Sequence, residues 1–272
     1  MNHTSVHLNR VIIHVDEATR SAIMQSAFLK NEFAAFETGT IAIEDGGGWS
    51  GLYIDGERTY IEIFGPSQGA ATGGAAGICL GVDQTGGLED ACVALSRSGR
   101  AHSPDLVGRQ LDGQEIPWFR YVDLVDSGTS FTSSIMEYDK DFLRRSRPGP
   151  NAGLDCISRQ QYNAARFQPE RYLKDISEVT LALAPVDLAL FGSHLETLGY
   201  VETSVGEART FCGQEVIFHL MQSTASVKGV VALRLSLLKK KDGETVYRFG
   251  PGSVLHFDAE FGASWFFGPA SG

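Results

Sequence analysis

The order of elements between residues 8 and 138 constrains this 272-residue chain most: a short strand, a helix and three strands, then the same succession again. LNRVIIHV (8–15) is short and β-branched, which reads as a strand. Asp16 is placed to cap a following helix. That helix carries Ile23, Phe28, Phe33 and Phe36 on about five turns, with a break near Phe28 and a stop at Gly39. Residues 40–44, 49–54 and 59–64 are strand candidates, and Gly46-Gly47-Gly48 and Asp55-Gly56 between them are turn chemistry. After the Gly/Ala-rich stretch 65–76 the order restarts. Residues 77–82 read as a strand and 87–96 as a helix with Leu88, Cys92 and Leu95 on one side. A polar interval around His102, Pro104 and Gly113 has room for a short strand, and 118–125 with 131–138 form a second hairpin. A duplicated βαβββ module leaves this pattern.

Residues 144–154, with two prolines and two glycines, read as a boundary, and 160–173 as a helix interrupted by Pro169. Beyond it, 176–184 is a strand and 185–198 a helix with Pro185 in its first turn and Gly199 at its end. Strands follow at 214–221, 230–238, 245–249 and 254–258, with Asp242-Gly243 as a turn. This portion begins like a third copy and runs longer. The expected fold is therefore α+β. Paired modules occupy 8–140, a connector 141–175, and a third, divergent strand-rich βα module 176–267.

Composition limits the partners. A formal charge of −10 and a pI near 5.2 argue against nucleic acid and anionic membrane, which need clustered Lys and Arg. The runs Arg144, Arg145, Arg147 and Lys239, Lys240, Lys241 are short enough to be solvated. Residues 1–10 are polar, and no apolar run approaches the ~20 residues of a membrane span, so a cytoplasmic location is expected. Cys79, Cys92, Cys156 and Cys212 form no C-x-x-C pair and read as reduced thiols.

The chemistry concentrates in two places where a carboxylate interrupts an apolar strand: Tyr60-Ile61-Glu62-Ile63 and Ile135-Met136-Glu137-Tyr138. Burying a carboxylate is costly unless something pairs with it. Trp49, Tyr53, Trp118 and Arg120 are candidates to line a pocket for a planar ligand, or else core. The glycine runs lack the pattern of a phosphate loop, and no G-x-S-x-G elbow is present.

The module order, LNRVIIHV followed by Asp16 and a helix, YIEIFGP, GICLGVD and ISEVTLALAPVDLALFGSHLETLGY together resemble the glyoxalase-like, or vicinal oxygen chelate, superfamily. The resemblance implies an incomplete barrel around a cleft. It also implies a divalent metal held by first-strand and last-strand residues of each module. Carried onto this sequence, those positions are Arg10, Glu62, Gly77 and Glu137. Both glutamates match, while Arg10 and Gly77 depart, because a guanidinium repels a cation and glycine offers no ligand. His14 shares the face of Arg10 by strand alternation and is a displaced ligand or a proton carrier. The expected activity is that of a lyase or isomerase on a small oxygenated substrate. Glu62, Glu137, Arg10 and His14 would be catalytic, with or without a divalent metal on Glu62, Glu137 and His14. The alternative is a drug-sequestering binding protein. Glu178, His219 and His256 are candidates for a second site, and a homodimer through the C-terminal module is compatible with the resemblance.

Overall fold

The computed structural model describes residues 5–42, 48–66, 76–97, 102–111, 113–124, 131–146, 157–203 and 208–268. The first eight strands are β1 (Val6–His14), β2 (Ala35–Ala42), β3 (Gly48–Asp55), β4 (Tyr60–Phe64), β5 (Ala76–Val82), β6 (Asp105–Leu111), β7 (Gln114–Asp123) and β8 (Phe131–Tyr138). They form one sheet in the order β2-β3-β4-β1-β5-β8-β7-β6. Helix α1 (Glu17–Gln25) follows β1 and α2 (Gly87–Ser96) follows β5, so each half is a βαβββ module. β1 runs parallel to β4 and β5 parallel to β8, as a helical crossover requires, and β1 and β5 join the modules antiparallel.

Asp16 caps α1 by accepting from Thr19 N. The helix ends at Gln25, and a π-helical turn follows at Leu29–Phe33. The expected break near Phe28 therefore exists. β2 starts five residues earlier than the composition suggests, because Ala35 and Phe36 pair with Asp55 and Ile54 instead of continuing the helix. The turn glycines at 46 and 47 lie outside the described residues.

Helices α3 (Lys140–Ser146) and α4 (Arg159–Asn163) occupy the connector. The second half carries β9 (Leu173–Leu183), α5 (Pro185–Thr197), β10 (Val201–Glu202), β11 (Arg209–Cys212), β12 (Ile217–Gln222), β13 (Gly229–Leu237), β14 (Val246–Arg248), β15 (Ser253–Phe257) and β16 (Gly262–Phe267). Its sheet order, β10-β11-β12-β9-β13-β16-β15-β14, repeats the first. The stretch expected to be one long third module thus splits into a βαβββ unit and a further four-stranded unit. The latter escapes notice in the sequence because it lacks its helix. Residues 238–245, rich in Lys, Asp and Gly, have no helical periodicity and connect β13 directly to β14. Without the crossover the last strand must return in the other direction, and β16 runs antiparallel to β13.

The missing helix is replaced from the first module. Phe33 meets Phe257 and Trp265 edge-on, and Phe28 stacks on Tyr247 with centroids 3.8 Å apart. Phe131 likewise meets Phe191 of α5, so the apolar faces of both sheets merge into one continuous core. Each sheet keeps its opposite face for other purposes. Cys79 and Cys92 are buried free thiols and Cys212 is half-buried; Cys156 lies outside the described residues. Among the described residues no helix is long and apolar enough to cross a membrane.

Candidate functional site

Strand register decides which side chains share a face. Arg10 pairs with Tyr60 and Cys79, Ile12 with Glu62 and Gly77, and Cys79 with Ser134. Arg10, Tyr60, Glu62, Cys79, Ser134, Met136 and Tyr138 therefore stand on the face away from α1 and α2. A β-bulge between Leu8 and Arg10 adds Asn9 to this set, and Asn9 Nδ2 donates to the Tyr138 hydroxyl at 3.2 Å. Arg10 Nη1 donates to the Tyr60 hydroxyl at 2.8 Å, and its Nε stands 3.4 Å from Glu62 Oε2. Burial pushes the Glu62 carboxyl above its ordinary range, opposed by Arg10 and Arg166. Burial works against the charge on Arg10, but Glu62 and Tyr60 outweigh it and hold the guanidinium protonated.

This first cleft is filled by the connector. Tyr162, the last residue but one of α4, stacks on Tyr138 at 4.1 Å and 14°. Arg166 lies over Tyr162 at 4.9 Å and over Tyr60 at 5.9 Å. Its Nη2 is 3.3 Å from Asp55 Oδ1, whose side chain is fully buried, and Nη1 is 3.9 Å from Glu37.

The other expected residues disperse. Glu137 is one residue out of phase with Met136 and Tyr138, so it points to the helix side. There it accepts from Leu88 N at 3.0 Å and Gly86 N at 3.3 Å, capping α2. Arg120 joins it on that side, hydrogen-bonded to Glu89 and 3.7 Å from Glu137. Trp118, two residues along β7, packs on Phe142 and carries Arg109 over its ring. Tyr60, in contrast, shares the face of Glu62, as a spacing of two requires. His14 shares it too, but four residues of strand carry it about 13 Å from Arg10, and its ring lies against Phe64. Burial lowers the His14 pKa. Tyr53, in contrast, pairs with Glu62 across β3 and β4 and stays on the cleft face, its ring lying across Gly39 and Gly51, where a Cβ would meet it at 2.9 and 3.2 Å. The side chain of Trp49 is outside the described residues. Glu62, Glu137 and His14 thus do not converge, and among the described residues no three His, Cys, Asp or Glu side chains gather as a metal site. The donor set does not fit the metal that the resemblance implies.

The corresponding face of the second sheet is open. Glu178, Thr180, Thr210, His219, Arg234, Ser264, Phe266 and His256 lie on it by register. His219 Nε2 is 3.0 Å from Glu178 Oε2, and Thr210 Oγ1 is 3.2 Å from His219 Nδ1, so both ring nitrogens are engaged. The His219 and Glu178 side chains are 30% and 40% exposed. Arg234 is the cross-strand neighbour of Glu178, yet it pairs with Asp258 and donates to Ser264 Oγ at 3.2 Å. His256 stands in the row Glu178, Arg234, Ser264, His256, about 14 Å from Glu178 over three strand spacings.

Sequence reasoning missed Arg234, although the rule that singled out Glu62, a charge inside an apolar strand, applies equally to VVALRLSL. Tyr162 and Arg166 gave no signal, since nothing local says that a connector will enter a cleft.

The topology defines a protein of glyoxalase-like modules paired in two sheets. The model of DUF5829, described as a family of unknown function, matches residues 8–267, and the chain belongs to that family. No curated protein matches the sequence. Among solved structures, a hypothetical protein from Staphylococcus aureus is similar with a TM-score of 0.51 at 11% identity, over 80% of this chain and 86% of that one. A halotolerant catechol dioxygenase, BphC, reaches 0.47 at 10% identity over 98% and 89%. A single-residue variant of homoprotocatechuate 2,3-dioxygenase from B. fuscum reaches 0.45 at 10% over 99% and 74%. At such identities likeness speaks for the fold alone.

Proposed function

We propose that this chain is a small-molecule enzyme of lyase or isomerase type whose working site is the open face of the second sheet. The observation that carries this reading is the hydrogen-bonded row Thr210, His219 and Glu178 at half-exposed positions. A carboxylate on one imidazole nitrogen and a hydroxyl on the other hold the ring in one tautomer, so His219 orients Glu178, whose other carboxylate oxygen takes the proton. Arg234, one strand away, supplies a charged donor for an oxygen that becomes negative as a proton leaves the neighbouring carbon. In the same reading Arg10 and Glu62 satisfy one another inside the first cleft, and Glu137 serves α2.

The test is solvent-deuterium exchange, followed by proton NMR, over a panel of small carbonyl compounds, with His219→Ala and Glu178→Gln beside the wild type. A compound that exchanges with the wild type should lose at least about 100-fold in rate in each variant, at an unchanged melting midpoint. Equal exchange in all three proteins refutes the assignment.

A further inference from the structure

β6 is the last strand of the first sheet and, among the described residues, pairs with β7 alone, so its outer edge is a template for a further strand. Five of its seven residues are exposed, and Leu106 is 60% exposed. The extra residue of the bulge between the two strands, Trp118, belongs to β7. β6 itself therefore alternates regularly, with Asp105, Val107 and Arg109 on one face and Leu106 and Gly108 on the other.

The charges along this edge select what can pair with it. In an antiparallel pair, opposed residues share a face and a hydrogen-bonding class, so two copies of β6 related by a two-fold axis must be centred on a residue. Centred on Asp105 or Arg109, the pair opposes like charges. Centred on Leu106 or Gly108, it sets each charge against an uncharged residue. Centred on Val107, it sets Asp105 against the partner's Arg109 twice over, and Leu106 against the partner's Gly108. Both charges stand ready for this. Arg109 lies over the Trp118 ring at 4.7 Å with no carboxylate beside it among the described residues. Asp105 stands near Asp123, whose pKa is pushed up by burial and then by the Asp105 charge. A guanidinium arriving opposite Asp105 relieves that like-charge contact.

We infer that β6 is a contact between two copies of this chain, paired antiparallel about Val107 through reciprocal Asp105–Arg109 ion pairs, so that the first sheets of two molecules join into one. The contact is small, so association belongs in the micromolar range rather than the nanomolar. It lies apart from the C-terminal module and from Glu178 and His219, and it does not rest on the function proposed for them.

The experiment is sedimentation equilibrium of the full chain, from micromolar to several hundred micromolar, for the wild type, Asp105→Arg, Arg109→Asp, an equal mixture of these two variants, and the double exchange Asp105→Arg/Arg109→Asp. The wild type should dimerise. Each single reversal opposes like charges twice and should weaken the dimer at least about tenfold. The mixture sets two arginines against two aspartates, and it should associate as the wild type does, as should the double exchange. A wild type that stays monomeric throughout overturns the inference. So does a dimer that either reversal leaves intact, or a mixture or double exchange that associates no better than the single variants. If a reversal does not fold, hydrogen exchange of the wild type at the two ends of the concentration range decides. Slower exchange across residues 105–109 at the higher concentration supports the pairing, and unchanged exchange there overturns it.

Discussion

The two sheets share one strand order, yet their outward faces have opposite fates. In the first, Arg10 and Glu62 are neighbours across β1 and β4, and Tyr60, Tyr138 and Tyr162 close over them with Arg166. In the second, Arg234 and Glu178 are neighbours across β13 and β9. Each turns to a different partner, Asp258 or His219, and both remain a third or more exposed. A shared topology therefore fixes where charged side chains can stand but not whether solvent reaches them. The connector decides that for the first sheet.

The largest effect is expected where the connector is anchored. The Arg159 side chain is 1% exposed; it holds Asp83, just after β5, and Glu215, between β11 and β12, at 2.9 and 2.7 Å and donates to Leu8 O. Arg159→Ala would remove the cation that the two carboxylates share, although Glu215 keeps Arg58 at 2.7 Å. The Asp83 and Glu215 side chains are 29% and 32% exposed, so water takes over part of what Arg159 supplies, and chemical denaturation should show a fall of about 1.5–3 kcal/mol, the worth of hydrogen bonds to a charged group. Access to the first cleft should rise with it. A loss under about 1 kcal/mol would mean the closed cleft does not rely on this anchor.

Much of this architecture was legible in the chain. The βαβββ order in residues 8–138 and the start of a third copy at 176 follow from strand-length apolar runs, Asp-Gly turns and capping residues, all of them local signals. The fourth unit was not legible, because the helix that would announce it is replaced in space by Phe28 and Phe33, more than two hundred residues away in the chain. The site was legible by residue type and misassigned by phase. Glu62 and Glu137 look equivalent in sequence, but a shift of one residue sends Glu137 to the helix side of its strand. The pairing of Glu178 with His219 depends on the parallel register of β9 with β12, which the separate strands do not announce.

A smaller effect sharpens the contrast through pH. Burial raises the Glu62 pKa above its unfolded value. Between the two values the folded state binds more protons than the unfolded one, so the Glu62 contribution to stability is present below about pH 4.5 and is lost as pH rises through the folded pKa. Glu62→Gln removes this loss. The variant should gain on the wild type as pH rises through that window. Asp83 and Glu215 behave oppositely. For both, burial pushes the pKa up and is outweighed by Arg159, so the folded values are lowered and their contribution disappears as pH falls. A Glu62→Gln curve parallel to the wild type across the acid range would show that Glu62 shares no such burden.

The smallest effect concerns His256, which stands in the same row as Glu178 and Arg234 but two strands beyond Arg234, exposed to solvent. If proton transfer belongs to Glu178 and His219, His256→Ala removes a side chain that touches neither, and stability should change by no more than about 0.5 kcal/mol. Deuterium exchange should then match the wild type within a factor of about two, whereas His219→Ala loses it. A deep loss in His256→Ala would mean that the substrate spans the whole row from β9 to β15. Arg234 would then lie at its middle, between two bases, and the open face would be a groove with two proton-transfer ends.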